Sequence, residues 1–190
     1  MRVLVIGGSR FIGLATVNRL LADGHKVTLL NRGQTADSFG TRVSRIIGDR
    51  SDPETLQRAV ARRDFDAVLD VIAFREEDTQ AAVDRLRGRI GHYIHISTAS
   101  VYLIRDRLFC PFREEDFAGR LAPRTETASS SWLYAYHKRR CELVLQRAWE
   151  SHQLPFTALR LPMVVGPEDY TERARAYLER LADGGPIILP

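Results

Sequence analysis

The feature that most limits what this chain can become is a glycine turn set between an apolar run and a helical repeat, all within residues 1–32. Residues 3–6 are an unbroken aliphatic run of strand length that ends at Gly7-Gly8. Helical spacing follows, with Phe11, Ile12, Ala15, Val17, Leu20 and Leu21 recurring three to four apart until Asp23-Gly24 stops the helix. Residues 26–30 read as a second strand. This order and length are those of a dinucleotide-binding βαβ unit. Such a unit needs a backbone that can approach a pyrophosphate, with amide N–H groups and the positive end of a helix facing it. Gly7 and Gly13 meet that need, and Arg10 stands where a middle glycine is often found. Ser9, Phe11 and Ile12 complete the expected cofactor turn.

After the second strand comes Asn31-Arg32-Gly33. An NAD site usually places an acid near here for the ribose 2′-OH, whereas arginine accommodates a 2′-phosphate. Asn31 is neutral, and Arg10 and Arg32 can converge on the adenosine ribose, so NADP is expected ahead of NAD. A polar loop at 34–41 leads to a third strand at 43–47, closed by Gly48-Asp49-Arg50. A helix at 53–61, capped by Ser51 or Asp52, carries Pro53 in its first turn. A fourth strand at 67–72, a helix at 76–87 and a fifth strand at 93–97 follow.

Strands and helices alternating at this cadence predict a parallel sheet with helices on both faces. Ligands in such a sheet lie beyond the carboxyl ends of the strands. That makes Asp49 a candidate acceptor for an adenine amino group, with Arg50 beside it. Ile72, Ala73 and Phe74 are candidates to line the cofactor, and residues 97–100 offer hydroxyls. His95 alternates within its strand and is expected in the core. Residues 103–128 show no clear periodicity, and a loop that long is usually functional or mobile. A helix capped by Ser129, Ser130 or Ser131 runs to about 152, a sixth strand spans 156–161, and Pro162 and Gly166-Pro167 break it. A last helix at 171–182 and a short strand at 187–189 close the chain.

The 190 residues suit one domain. A net charge of +4 comes from arginines mixed with acids along the chain, which does not call for a nucleic-acid partner. No run of about 18 apolar residues is present to span a bilayer, and a strand from Arg2 leaves no room for a leader, so a cytoplasmic protein is expected. Cys110 and Cys141 have neither metal nor redox spacing, and no metal is expected. Lysine occurs only at Lys26 and Lys138. In an arginine-rich chain, Lys138 marks a place where a compact ammonium is wanted.

Tyr134 and Lys138 lie four apart and share a helix face. A neighbouring ammonium favours phenolate, bringing a tyrosine down from near ~10. A phenolate beside a nicotinamide can act as general base on an alcohol. Thr98 is placed to hold the same oxygen in line. Tyr136 has the same spacing to Arg140, which cannot share a proton.

Gly7-Gly8-Ser9-Arg10-Phe11-Ile12-Gly13, Asn31-Arg32-Gly33, Gly48-Asp49, Ser97-Thr98-Ala99-Ser100-Val101-Tyr102, Tyr134-x-x-x-Lys138 and Arg160-Leu161-Pro162-x-x-x-Gly166-Pro167 together resemble the extended short-chain dehydrogenase/reductases, the NAD-dependent epimerase/dehydratase group. The resemblance implies a Rossmann-type doubly wound α/β domain over residues 1–190 that binds NADP or NAD. It implies Tyr134 as base, Lys138 on the nicotinamide ribose, Thr98 as the active-site hydroxyl, and the backbone at Pro162 near the nicotinamide. It further implies a small, sugar-like substrate oxidised or reduced at a hydroxyl or carbonyl, and a homodimer paired through the long helix. Glu114-Glu115 matches an acidic stretch common after the fifth strand.

Three departures stand out. Arg10 matches an atypical branch with a Gly-Gly-x-Arg-Phe motif, part of which resembles RNA-binding chloroplast proteins. Leu103 stands where a glycine is usual, and Met163 where many nucleotide-sugar enzymes carry asparagine. Family members continue into a substrate-binding lobe, which residues after about 162 begin and which is largely absent here, so the chain reads as a fragment or a truncated member. The alternative expectation is a non-catalytic NAD(P) sensor or RNA-binding Rossmann protein.

Overall fold

The computed structural model describes residues 1–61, 64–108, 110–124 and 130–186. Six strands, β1 (Arg2–Ile6), β2 (Lys26–Asn31), β3 (Ser44–Ile47), β4 (Ala67–Asp70), β5 (Tyr93–Thr98) and β6 (Phe156–Leu161), form one sheet. Between and after them, among the described residues, lie α1 (Phe11–Ala22), α2 (Pro53–Val60), α3 (Glu76–Leu86), α4 (Ser130–His152) and α5 (Arg173–Ala182). The spatial order is β3-β2-β1-β4-β5-β6, with every neighbouring pair parallel. The chain runs outward from β1 to β3 and returns to place β4 on the other side of β1. That reversal opens a crevice past the carboxyl ends of β1 and β4, where doubly wound sheets bind ligands.

The continuous apolar runs exist because the central strands are buried on both faces, successive side chains pointing opposite ways. Leu4, Ile6 and Val68 pack against Leu56 of α2, Val83 of α3 and Leu145 of α4. Val3, Val5, Leu29 and Leu69 pack on the other face with Val17 of α1. The expected parallel sheet with helices on both faces is the fold observed.

Several boundaries differ for local reasons. β4 stops at Asp70, two residues short, because the Asp70 carboxylate accepts the backbone N–H of Ile72 (3.2 Å) and Ala73 (2.9 Å) and folds the chain into a turn. Val43 is not yet in β3; it closes a 3-10 turn at Gly40–Arg42 as a buried residue. The cap at α2 is Asp52, which accepts from Glu54 N at 3.0 Å. The region expected as one long loop holds a 3-10 turn at Glu114–Phe117, just after another at Ala99–Tyr102. The Phe117 ring lies between two guanidinium groups, Arg139 at 3.8 Å and Arg160 at 4.3 Å, which hold this segment against α4 and β6. Ser129 and the strand expected at 187–189 lie outside the described residues. Among the described residues no helix is long and apolar enough to cross a membrane.

Candidate active site

At the end of β1 the chain turns through Gly7, whose φ of +100° favours glycine and whose N–H donates to Leu30 O at 2.9 Å. A Cβ at Gly7 would stand 2.8 Å from Ile72 Cγ2, and one at Gly13 would stand 2.7 Å from Gly8 Cα. The two glycines therefore let α1 and the turn approach each other and the end of β4. Arg10 is the N-cap of α1 but makes no side-chain cap bond. Among the described residues the first-turn N–H groups of α1 have no side-chain acceptor, which is what an anion needs.

The end of β2 is tied to this turn. Asn31 Nδ2 donates to Ser9 Oγ at 2.9 Å, and its Oδ1 accepts from Gly33 N at 3.0 Å. Beyond β3, Asp49 accepts from the Ser51 N–H (2.9 Å) and hydroxyl (2.7 Å). Those bonds hold its carboxyl below the ordinary range, so it stays ionised at neutral pH.

Under the crevice lies a buried ion pair. Asp70 is fully buried and accepts from Arg50 Nη1 at 2.7 Å and from the Tyr93 hydroxyl at 2.6 Å, besides its two backbone donors. Burial pushes this carboxyl up, but the Arg50 charge and hydrogen bonds and the Tyr93 hydroxyl outweigh it and hold the group below its usual value. Arg50 Nη2 also donates to Asp78 O at 2.5 Å. Arg50 thus lines the cleft while its guanidinium is tied to Asp70 and to the Asp78 carbonyl.

Lys138 of α4 is 5% exposed, and Nζ donates to Ala73 O at 2.8 Å and Ile96 O at 2.7 Å. Two of its three N–H groups are thus fixed on the ends of β4 and β5. Burial lowers its pKa, with Asp70 pulling the other way. The Tyr134 ring lies one turn earlier, 5.6 Å from the Phe74 ring. Tyr136 instead stacks on Trp132 at 5.2 Å, and Arg140 pairs with Glu76 at 2.7 Å.

A cleft of about 830 Å³ joins these parts. Of the residues expected from sequence, Gly7, Ser9, Arg10, Phe11, Ile12 and Gly13 of the glycine turn line it. Asn31, Arg32, Asp49, Arg50 and Ile72 line it as well, and Tyr134 and Lys138 lie in the same cleft. Four expected residues are not in its lining. Ala73 contributes its carbonyl to Lys138, and Phe74 packs beside Tyr134. The Thr98 hydroxyl accepts Ser100 N and donates to Ser100 Oγ, both at 3.2 Å, capping the turn after β5. Pro162 is exposed beyond β6. Sequence reasoning missed Thr35, Ile96 and Tyr170 as lining residues. Ile96 was accessible from the alternation within β5, whereas Tyr170 lies past a Gly-Pro break with no periodicity to mark it.

His95 is fully buried, as expected, and neither ring nitrogen has a partner among the described residues. Burial and then the Lys138 charge push its imidazole down to about 4, against a smaller upward pull from Asp70. An unfolded histidine titrates near ~6.5. Between those values the unfolded chain binds a proton that the folded one refuses, so stability falls as pH falls from about 6.5 to 4, by about 3 kcal/mol in all. Urea unfolding of wild type and His95→Leu across that range should show the variant with a flatter pH dependence. Equal slopes would remove this assignment.

A family description, NAD dependent epimerase/dehydratase, matches residues 3–190. The chain belongs to this family. Among curated relatives it is 28% identical over 202 residues to the chloroplast stem-loop binding protein of 41 kDa b of Arabidopsis thaliana, covering 100% of this chain and 49% of that protein. It is 33% identical over 92 residues to the 2′-dehydrokanamycin reductase of Streptomyces kanamyceticus, 45% of this chain and 26% of that one. Among solved folds, the UDP-glucose 4-epimerase of Thermotoga maritima superposes with a TM-score of 0.78 at 19% identity, over 100% of this chain and 66% of its own. The dTDP-glucose 4,6-dehydratase of Bacillus anthracis, in complex with NAD, gives 0.75 at 20%, over 97% and 62%. At those identities the two structures share the epimerase/dehydratase fold with this chain, which spans about half the length of its full-span curated relative.

Proposed function

We propose that this chain forms the dinucleotide-binding core of an NAD(P)-dependent oxidoreductase, epimerase or dehydratase that acts on a hydroxyl or carbonyl of a sugar-like or other small molecule. The observation that carries the reading is that Tyr134 and Lys138 open into the same cleft as the glycine turn. The cradle fits a dinucleotide, since Gly7 and Gly13 stand where a Cβ would collide and the first turn of α1 has no side-chain cap. Ser9, Phe11 and Ile12 would hold the pyrophosphate, Asn31, Arg10 and Arg32 the adenosine ribose, Asp49 the adenine, and Lys138 the nicotinamide ribose. Bound nicotinamide supplies hydride acceptance or return. The Tyr134 phenolate takes the proton of a substrate alcohol, or the Tyr134 hydroxyl gives one to a carbonyl, and the Lys138 ammonium favours the phenolate.

Within this reading NADP is the preferred cofactor. The side chain at the end of β2 is a neutral amide already bonded to Ser9 and Gly33, and Arg10 and Arg32 are exposed along the cleft. Parallel fluorescence titrations should give tighter binding of NADPH than of NADH. In Arg10→Ala/Arg32→Ala, NADPH affinity should fall about tenfold or more, as for loss of charge-assisted bonds, with NADH little changed. Tighter NADH binding would reverse the preference, and binding of neither would end the cofactor reading.

The same proposal includes a homodimer paired through α4 and a reducing, cytoplasmic setting in which exposed Cys110 and buried Cys141 remain thiols. A second reading, an RNA-binding protein without turnover, draws support from the full-span similarity to the chloroplast stem-loop binding protein. Stem-loop RNA binding in the absence of any dinucleotide affinity would put it first.

A further inference from the structure

We infer that Tyr170 is a cofactor-contacting residue whose ring covers the pyrophosphate–adenosine half of the bound dinucleotide from the side opposite the glycine turn. The inference rests on the dinucleotide reading and adds a contact from a segment that lies far from the glycine turn in sequence.

Tyr170 follows the Gly166-Pro167 break after β6, in a turn closed on itself. Asp169 N donates to Gly166 O at 3.3 Å, and Glu172 N to Asp169 O at 3.2 Å. Asp169 Oδ1 accepts from both the N–H (2.9 Å) and the hydroxyl (2.6 Å) of Thr171. These bonds flank Tyr170 on both sides and fix the backbone that carries it. The side chain itself is 68% exposed, and among the described residues its ring stacks on no other ring and its hydroxyl has no hydrogen-bond partner. An aromatic of this size in water has a flat apolar face and a polar tip left for a ligand.

Its location indicates which ligand. Tyr170 lines the 830 Å³ cleft, an adjoining cavity of about 460 Å³, and a third of about 540 Å³ walled by its own segment and α5, which contains none of the glycine-turn residues. The other residues common to the first two are Ser9, Arg10, Phe11 and Thr35, from the glycine turn and the loop after β2. Tyr134 and Lys138 line only the larger cleft. The shared wall therefore lies at the phosphate and adenosine end, and a ring there closes over a planar or anionic group held by the turn.

The test measures dissociation constants of the purified chain for NADPH and for ADP-ribose, which lacks the nicotinamide, in wild type, Tyr170→Ala, Tyr170→Phe and Tyr170→Ser. Alanine and serine should weaken both ligands by a similar factor, about five- to tenfold. Phenylalanine, which keeps the ring, should stay within about twofold of wild type. Tyr177→Ala, half-exposed on α5 and outside all three cavities, should change neither constant. Unchanged affinity in Tyr170→Ala would overturn the inference while leaving the cofactor reading in place. So would weakening of NADPH alone, or a phenylalanine variant as weak as alanine. Failure of the wild type to bind either ligand would instead overturn the cofactor reading itself, and this inference with it.

Discussion

Asp70→Asn is expected to destabilise the protein by about 3–5 kcal/mol, the cost of leaving a buried partner charge uncompensated. Arg50 is itself buried, its Nη1 lies 2.7 Å from both Asp70 oxygens, and among the described residues no other residue's carboxylate comes nearer than the 3.9 Å of Asp78. An amide in place of the carboxylate keeps the shape and removes the counter-charge. It also exchanges a strong acceptor of the Tyr93, Ile72 and Ala73 donors for a neutral one. The depressed carboxyl pKa makes this contribution present above the ordinary Asp value and lost as pH falls through the lower folded value. The difference between wild type and Asp70→Asn in urea unfolding should therefore shrink in strong acid. The double variant Asp70→Leu/Arg50→Met, apolar on both sides, should recover much of the loss. A single-variant loss under about 1 kcal/mol would show that the pair is not the keystone its burial implies.

The second large effect belongs to the proposed chemistry. Tyr134→Phe should lower turnover by about 10²- to 10⁴-fold, the range for loss of a positioned acid–base group. NADPH affinity should persist, because the aromatic ring beside Phe74 remains and the glycine turn is untouched. The measurement pairs an NADPH titration with the rate of NADPH consumption on a carbonyl compound found by screening. An unchanged rate would remove Tyr134 from catalysis. A lost rate together with lost affinity would mean that the hydroxyl positions the cofactor.

The parts legible in the sequence are those governed by local periodicity. Residues 3–6 and 26–30 are continuous apolar runs because both sheet faces are covered, and the fourfold spacing of Tyr134 and Lys138 is a property of one helix. The parts that were hidden depend on pairings between distant segments. Arg50, just past β3, gives no local sign that its partner is Asp70, at the end of a strand three positions away in the sheet. β4 reads as continuing to Ile72 because Val71 and Ile72 are apolar, yet the Asp70 side chain captures the next backbone donors and ends it. Thr98 has the right residue type for an active-site hydroxyl, and its sequence gives no sign that at the strand end this hydroxyl also caps the following turn. Arg160 reads as part of a motif before Pro162. In the fold it is an anchor, bonded to Glu142 at 2.8 Å and to the Tyr102 hydroxyl at 2.7 Å, while Ser97 donates to the same Glu142.

Among the described residues, the Lys138 ammonium is held by the carbonyls of Ala73 and Ile96 rather than by any side chain. Every amino acid, proline included, presents a backbone carbonyl. Replacements at 73 and 96 therefore leave the acceptors that seat the ammonium in place so long as packing there, where Ala73 is buried and Ile96 lies against the core, keeps the backbone on its course. What seats the lysine is thus the course of the main chain at two strand ends, and the side chains at 73 and 96 answer to packing rather than to the ammonium.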